Sequence, residues 1–191
     1  MIKEPIQNMP QLKFLQKYLI RNGDDGVMGF IAGGCFKSYF MGNKIKDIDI
    51  FFPNRDYYEY AVSANEEEII NENDNCLTIT NDGVKIDLIC SIFGTPEEVL
   101  SNFDFTVSKF AMDDQNVYYH NRFFKDITLK KLVIDDKIPK PYSTFTRSMR
   151  YSRYGFNLCK ESTIKLLDAI RREETEASVD NVAQTLYGGW D

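Results

Sequence analysis

The sequence is poor in the residues that build most metal sites and nucleophilic triads. It has one histidine, His120, so a Ser–His–Asp triad or a His-based metal site would depend on that single ring. Its four cysteines are widely scattered and include no CxxC pair. This spacing argues against a zinc site or a disulfide framework and favours buried free thiols. Chemistry in this chain is therefore expected to depend on carboxylates, lysine and arginine.

Long hydrophobic runs are absent as well. No stretch approaches the roughly 20 apolar residues of a membrane span, and the N-terminal residues contain no apolar core of signal-peptide length. With 43% hydrophobic and 27% charged residues, the composition is that of a globular protein. A chain of 191 residues buries roughly 70% of its unfolded surface and needs no metal or disulfide to fold. We expect a cytoplasmic protein without a membrane partner.

Positive charge is in deficit, since 23 basic residues oppose 29 acidic ones and give a net charge of −6. Lysine and arginine supply most non-specific affinity for nucleic acid, so this chain has no long-range attraction to it. Any RNA contact would have to come from a local basic patch.

Helical and strand patterns alternate in the first part of the chain, and helical patterns alone fill the last part. The "NDG" at 81–83 predicts a hairpin turn. Spacing and capping residues predict helices at 10–22, 35–41, 55–70, 95–103, 143–160, 161–174 and 178–188, and strands at 27–32, 46–52, 76–80, 84–90 and 117–120. We expect an α+β fold with a small mixed sheet and flanking helices. A catalytic domain would span 1–140, with a helical extension over 141–191 packed on it.

Two aspartates interrupt the apolar strand "DIDIFF". Asp47 and Asp49 are two residues apart, so they project from the same face of a strand. Adjacent carboxylates repel each other, and a bound divalent cation relieves that repulsion. Oxygen ligands favour Mg²⁺ or Mn²⁺ over zinc. The alternative is that both lie at the exposed start of a strand, paired with lysines such as Lys44 and Lys46.

A third carboxylate and a glycine pair add to this pattern. Asp87 lies in "VKIDLIC", a second apolar strand, and three carboxylates on one sheet face can hold the two cations of a phosphoryl or nucleotidyl transfer site. Gly33 and Gly34 separate a predicted strand from a predicted helix, where a backbone without side chains lets a phosphate approach. A plain tight turn is the alternative interpretation of the glycine pair taken alone.

The order of these motifs resembles the DNA polymerase β-like nucleotidyltransferase superfamily. The "GG", twelve residues, "DID" and a distant strand acid match its signature. Within it, the chain is most similar to the head of tRNA CCA-adding enzymes and bacterial poly(A) polymerases. "GGCFKSYFMG" resembles that family's "GGxVRDxLLG", "FDFTVSKFAM" its "RRDFTINAMA", "KDITLKKLVI" its "DLxxKxLR", and "RSMRYSRYGF" its "RxLRxxRF".

The resemblance implies a role for each matching residue. Asp47, Asp49 and Asp87 would be catalytic and hold two Mg²⁺ or Mn²⁺ ions, with Asp87 helping to activate the attacking hydroxyl. Gly33 and Gly34 would bind the phosphates of a nucleoside triphosphate. Lys37 stands where the family has an arginine facing the triphosphate, and Asp104 where the family contacts the ribose.

The predicted helix around residue 150 carries a row of arginines. Arg147, Arg150 and Arg153 recur every three residues and so share one helix face, which suits a triphosphate or an RNA backbone. A separate and largely apolar stripe is formed by Phe145, Met149, Ser152 and Phe156, and it is expected to anchor the helix. A solvated basic face is the alternative.

Three positions depart from the family pattern: Asn102 and Phe103 replace its paired arginines, and Ser38 replaces an acid. The leading interpretation is transfer of a nucleoside monophosphate (NMP) from a nucleoside triphosphate (NTP) to a hydroxyl, with an RNA or tRNA 3′ end favoured as acceptor. One alternative is a protein-modifying (AMPylating) transferase similar to minimal toxin–antitoxin nucleotidyltransferases. The other is a catalytically idle nucleotide-binding module.

Overall fold

A computed structural model describes residues 1–23, 26–135 and 137–173. The twelve strands are β1 (Ile2–Pro5), β2 (Arg21–Asn22), β3 (Gly26–Val27), β4 (Phe30–Ala32), β5 (Asp47–Phe52), β6 (Ile69–Glu72), β7 (Cys76–Asn81), β8 (Val84–Phe93), β9 (Phe110–Met112), β10 (Asn116–Tyr119), β11 (Lys131–Leu132) and β12 (Asn157–Leu158). The α-helices of these residues are α1 (Gly34–Phe40), α2 (Arg55–Ser63), α3 (Pro96–Ser101), α4 (Phe123–Thr128), α5 (Pro141–Ser152) and α6 (Lys160–Glu173). Short 3₁₀ helices lie at Ile6–Asn8, Pro10–Tyr18, Glu66–Glu68 and Thr106–Ser108.

The chain divides into two compact units. Residues 1–103 and 108–121 form the first, and residues 104–107 together with those from 122 onward form the second. The boundary that the sequence suggests between residues 140 and 141 stays a prediction. No helix of the described residues is long and apolar enough to cross a membrane.

An eight-stranded mixed sheet organises the first unit. Its strand order is β1-β10-β9-β4-β5-β8-β7-β6, and β5 pairs with β8 in parallel while every other neighbouring pair is antiparallel. A parallel pair cannot be joined by a tight turn, so the chain between β5 and β8 passes through α2, β6 and β7. This crossover brings two strands that are far apart in sequence side by side at the centre of the sheet.

Apolar side chains fix the position of β5 in the sheet. Ile48 and Ile50 are fully buried and pair with Ile86 and Leu88 of β8, which are also buried. On the opposite face, Phe51 joins a core cluster that α3 covers with its own apolar side chains, and the cluster consists of Phe30, Ala32, Phe51, Val99, Leu100, Ala111 and Tyr118. Because both faces of β5 are packed at its C-terminal end, only its N-terminal end leaves room for polar side chains.

The hairpin predicted from "NDG" is confirmed. The antiparallel pairing of β7 with β8 ends at Asn81↔Val84, so Asp82 and Gly83 form a two-residue loop. Both loop residues have positive φ, 50° and 72°, as a type I′ turn requires. The turn type therefore sets the register of the two strands.

The second unit is mainly helical. Phe156 and Leu166 are buried in it, and Phe105 packs edge-on against Tyr151 with the ring centroids 5.4 Å apart. The unit also buries a charged group, because the Asp126 carboxylate accepts hydrogen bonds from Thr106 Oγ1 (2.7 Å) and from the Arg122 guanidinium (3.1 Å). Those donors compensate the cost of burying the charge.

The α+β class with a mixed sheet and flanking helices is confirmed, but several predicted elements are corrected. The sheet is larger than expected, because the sequence patterns missed β1, β6 and β9. The helix predicted over 55–70 ends at Ser63, since the polar run that follows has no apolar residues at helical spacing. Residues 10–18 form a 3₁₀ helix instead of an α-helix. The helix predicted over 178–188 lies outside the described residues.

The close packing of β4 on β5 yields a test of this fold. A Cβ added at Gly29, just before β4, would lie 2.6 Å from the backbone oxygen of Phe51, so the strands would have to move apart. We expect Gly29→Ala to lower the free energy of unfolding by about 1–3 kcal/mol in urea denaturation. Gly34→Ala is the matched control, because no atom lies within 4 Å of its added Cβ. Equal stability of the two variants would contradict the pairing of β4 with β5 described above.

Candidate active site

The parallel pairing of β5 and β8 brings together the three aspartates singled out in the sequence. Asp49 and Asp87 are direct Cα partners, and Asp47 lies two residues before Asp49 on the same face of β5. Asp47 is exposed, whereas Asp49 and Asp87 are half-buried. The expected placement on one sheet face is thus what the structure has. The Cα partner of Asp47 on β8 is Lys85.

Asp49 carries the electrostatic cost of this arrangement. Burial first, and then the charges of Asp87 and Asp47, raise the pKa of its carboxyl to about 7. The same carboxylate contributes to raising the pKa of the buried Cys35 thiol, after burial itself. A cation between the carboxylates would lower the pKa of Asp49 towards its ordinary value.

Asp87 is held by a residue that the sequence patterns did not single out. Thr78 Oγ1 donates a 2.6 Å hydrogen bond to Asp87 Oδ1 from the neighbouring strand β7. Thr78 is the Cα partner of Asp87 in the hairpin. Counting back from the two-residue turn at 82–83 predicts this pairing, so the signal was present in the sequence.

The donor set suits Mg²⁺ or Mn²⁺, but the carboxylates do not already converge as ligands. In the described part of the chain, no group of three or more His, Cys, Asp or Glu side chains is arranged to hold a metal ion. Like-charged carboxylates repel each other, and Thr78 keeps one oxygen of Asp87 directed towards β7. The other oxygen of Asp87, Oδ2, takes no part in this hydrogen bond. The three aspartates remain predicted ligands.

Gly33 leaves space beside Asp49. A Cβ added at Gly33 would lie 3.3 Å from Asp49 Oδ2 and 3.3 Å from the ring of Phe103. Gly33 has φ of 97°, which disfavours any other residue, whereas Gly34 faces open space. Ala32, the Cα partner of Asp49, is small as well. Small residues thus surround Asp49 on the β4 side, as close approach of a ligand requires.

Two residues named in the sequence analysis, Phe103 and Lys37, have surroundings that the motifs alone do not show. Phe103 packs against Phe51, with ring centroids 5.7 Å apart, and its ring borders the space at Gly33. Lys37 is 8% exposed on α1, and burial lowers the pKa of its ammonium group. Desolvation makes the burial of an ammonium group costly.

The second unit contains the remaining predicted nucleotide-binding residues. Arg147 Nε lies 2.5 Å from Asp104 Oδ2, so these two residues form an ion pair. Asp104 is 5% exposed, and in the described residues its Oδ1 has no hydrogen-bond partner. A buried acceptor without a donor is costly, and it is the kind of atom that a ligand hydroxyl satisfies.

The arginine helix differs from expectation on its apolar side. Phe145 and Met149 are 37% and 44% exposed, so the predicted anchoring stripe is wrong for α5. The buried side instead carries Thr144 and Ser148, whose hydroxyls donate to the helix carbonyls of Lys140 and Phe145. These local hydrogen bonds make the hydroxyls cheap to bury. Arg150 and Arg153 are exposed.

Solved structures of tRNA-processing enzymes share this fold. The Thermotoga maritima CCA-adding enzyme in complex with tRNA is 17% identical, with a TM-score of 0.62 over 90% of this chain and 46% of its own. A CCA-adding enzyme with CTP is 16% identical, with a TM-score of 0.69 over 97% of this chain and 50% of its own. A tRNA nucleotidyltransferase with a primer tRNA and an ATP analog is 17% identical, with a TM-score of 0.54 over 76% of this chain and 47% of its own. The chain thus spans about half the length of these proteins, and at this identity the likeness establishes the fold.

Sequence comparison points to a family with a different description. No curated protein matches the chain. A family model described as "Gabija anti-defense 2 family protein" matches residues 6–130, which is well over half of the chain. We conclude that the chain belongs to the Gabija anti-defense 2 family.

Proposed function

We propose that this protein is a metal-dependent nucleotidyltransferase that moves an NMP from an NTP to a hydroxyl acceptor and releases pyrophosphate. The observation that carries the proposal is the in-register pairing of Asp49 with Asp87, beside Asp47 and the space left at Gly33. An isolated fold likeness would not distinguish an enzyme from an idle module. Three carboxylates on one face, one of them with a pKa raised to about 7, are costly unless they bind something.

Different residues would bind the metal ions and the phosphates of the nucleotide. Asp47, Asp49 and Asp87 would hold two Mg²⁺ or Mn²⁺ ions, which when bound neutralise charge on the phosphates and favour attack by the acceptor hydroxyl. Gly33 and Gly34 allow phosphates to approach the backbone, and Lys37 supplies a positive charge. Thr78 orients Asp87. Positioning and charge stabilisation are the main contributions that a protein makes to such a transfer.

In the second unit, Asp104 and three arginines are the proposed nucleotide contacts. The Oδ1 of Asp104 is suited to accept a hydrogen bond from a ribose hydroxyl, and Arg147 forms an ion pair with the same carboxylate. Arg150 and Arg153 are the predicted contacts for a triphosphate or an RNA backbone.

Two acceptors are considered. The RNA 3′ end is predicted from the motifs, and the tRNA bound by related solved structures supports it. The family description supports a second acceptor, a hydroxyl on a protein of an antiviral defense system, because anti-defense action requires a target in that system. Incubation with each α-³²P-labelled NTP and either total RNA or a lysate containing a Gabija defense system separates the two. Label would appear in RNA in one case and in a protein band in the other.

The first prediction concerns Asp49. Asp49→Asn keeps the size of the side chain but removes a charged ligand, so NMP incorporation should fall at least about a hundredfold. The free energy of unfolding without metal should stay equal or rise, because a buried and repelled charge is lost. Asp82→Asn, in the hairpin loop joining β7 and β8, is the matched control and should keep full activity. Wild-type incorporation by Asp49→Asn would refute the catalytic assignment.

The second prediction concerns cation dependence. Millimolar Mg²⁺ or Mn²⁺ with NTP should raise the melting temperature of the wild type, because ligands that bind the folded state stabilise it. The shift should disappear in Asp49→Asn and persist in Asp82→Asn. A melting temperature that does not respond to any cation and NTP would count against nucleotide binding. Tight NTP binding without incorporation into any acceptor would favour the idle module.

The third prediction concerns Lys37. Lys37→Met keeps an unbranched side chain of similar length and removes the charge. We expect the affinity for NTP, measured by isothermal titration calorimetry, to fall by about tenfold or more. A tenfold loss corresponds to about 1.4 kcal/mol of binding free energy. KM should rise more than kcat falls, since the three aspartates remain in place. If kcat alone fell and NTP affinity were unchanged, Lys37 would not bind the triphosphate.

A further inference from the structure

The negative charge of the protein comes from one stretch of the chain. Residues 56–84 contain no lysine, arginine or histidine and eight carboxylates, at Asp56, Glu59, Glu66, Glu67, Glu68, Glu72, Asp74 and Asp82. Without them the rest of the chain would carry 21 acidic and 23 basic residues. The acidity is therefore a local feature and not a general property of the surface.

Part of this stretch forms an edge of the sheet. β6 is the last strand in the sheet order and, in the described residues, pairs only with β7. Its register advances from Ile69↔Ile79 to Asn71↔Thr78, so Ile70 is an extra residue in a bulge. All four side chains of β6 are exposed, and Ile70 is 54% exposed. The outer backbone groups of this strand are available for pairing with another strand.

A surface cavity lies at the C-terminal end of β6. Its volume is about 660 Å³, within the range of ligand pockets. Its lining includes the rings of Tyr58 and Phe93 and the carboxylates of Glu72 and Asp74. The two rings are in edge-to-face contact, with centroids 6.2 Å apart. Aromatic faces combined with carboxylates are the surroundings that bind an ammonium or guanidinium group.

The one basic residue in the cavity does not reverse its charge. Arg55 also lines it, but its Nε lies 2.8 Å from Glu59 Oε1 within α2. Glu72 and Asp74 are exposed at the cavity, and neither takes part in an ion pair with a described residue. The cavity thus keeps an excess of negative charge.

We propose that the β6 edge and this cavity form a docking surface for a basic, extended segment of a partner protein. The backbone of the segment would pair with β6, and one of its lysine or arginine side chains would enter the cavity. Nucleic acid is disfavoured because its phosphates would meet the carboxylates. A second copy is also disfavoured, because its own acidic edge would be repelled. The inference does not depend on the proposed transfer reaction.

The test uses a defined probe. A fluorescein-labelled, end-capped octapeptide of alternating lysine and valine should bind the wild type in fluorescence anisotropy, and more weakly as salt is raised from about 0.05 to about 0.5 M. Glu72→Gln/Asp74→Asn should weaken binding at least about tenfold. The peptide should also slow hydrogen exchange of the β6 amides. Both substituted side chains are exposed, so the fold should be retained.

The matched control is Glu161→Gln/Asp168→Asn, which changes net charge equally at exposed positions of α6. It should bind the peptide as the wild type does. Equal weakening by the control would overturn the proposal, because the peptide would then respond only to net charge. Equal affinity for a peptide with glutamate in place of lysine, or for one with alternate backbone amides methylated, would overturn it too. Equal affinity for the glutamate peptide would show that charge does not drive binding. Equal affinity for the methylated peptide would show that the peptide does not pair with β6 through its backbone.

Discussion

The candidate site depends on the parallel, in-register pairing of β5 with β8. Ile48 and Ile50 are buried against Ile86 and Leu88, and a slip of one residue would move this apolar set to the other face. The core therefore fixes the register. Because the register is fixed, the β8 partner of Asp49 is Asp87, although their mutual repulsion opposes that arrangement. Hydrophobic burial on one face thus holds together charged groups on the other.

The carboxylate of Asp49, whose charge is unfavourable, lies beside small residues and near the aromatic ring of Phe103. Ala32 is the Cα partner of Asp49, and Gly33 leaves a space that the Asp49 carboxylate and the Phe103 ring both border. Exclusion of water raises the pKa of Asp49 and would strengthen any electrostatic contact with a bound ligand. The acidic edge at β6 lies in the same unit but at the rim of the sheet, where its carboxylates are solvated. The two acidic regions therefore differ in burial, and the ligands proposed for them differ as well: a cation with its nucleotide and a basic protein segment.

The sequence was sufficient for the parts of the site that follow from local periodicity. The alternation in "DIDIFF" and the "NDG" turn predicted the strands, and the turn sets the pairing of Thr78 with Asp87. The sequence did not predict β6. Its four residues are all exposed and, because a bulge interrupts the strand, they show no alternation of apolar and polar residues. The prediction that an apolar stripe anchors α5 was wrong. The buried residues there are Thr144 and Ser148, whose hydroxyls donate hydrogen bonds to backbone carbonyls of the same segment, and in a sequence such polar residues resemble surface positions. Long-range packing decides such positions, and periodicity does not report it.

The most direct test of metal binding by the aspartates is a crystal structure from crystals grown with Mn²⁺ and a non-hydrolysable NTP. The anomalous signal of manganese would locate the metal. The account predicts an anomalous peak at about 2.0–2.3 Å from carboxylate oxygens of Asp49 and Asp87. It also predicts that triphosphate oxygens complete the coordination beside Gly33. A fully occupied nucleotide without manganese at the aspartates, or manganese bound only elsewhere, would contradict it.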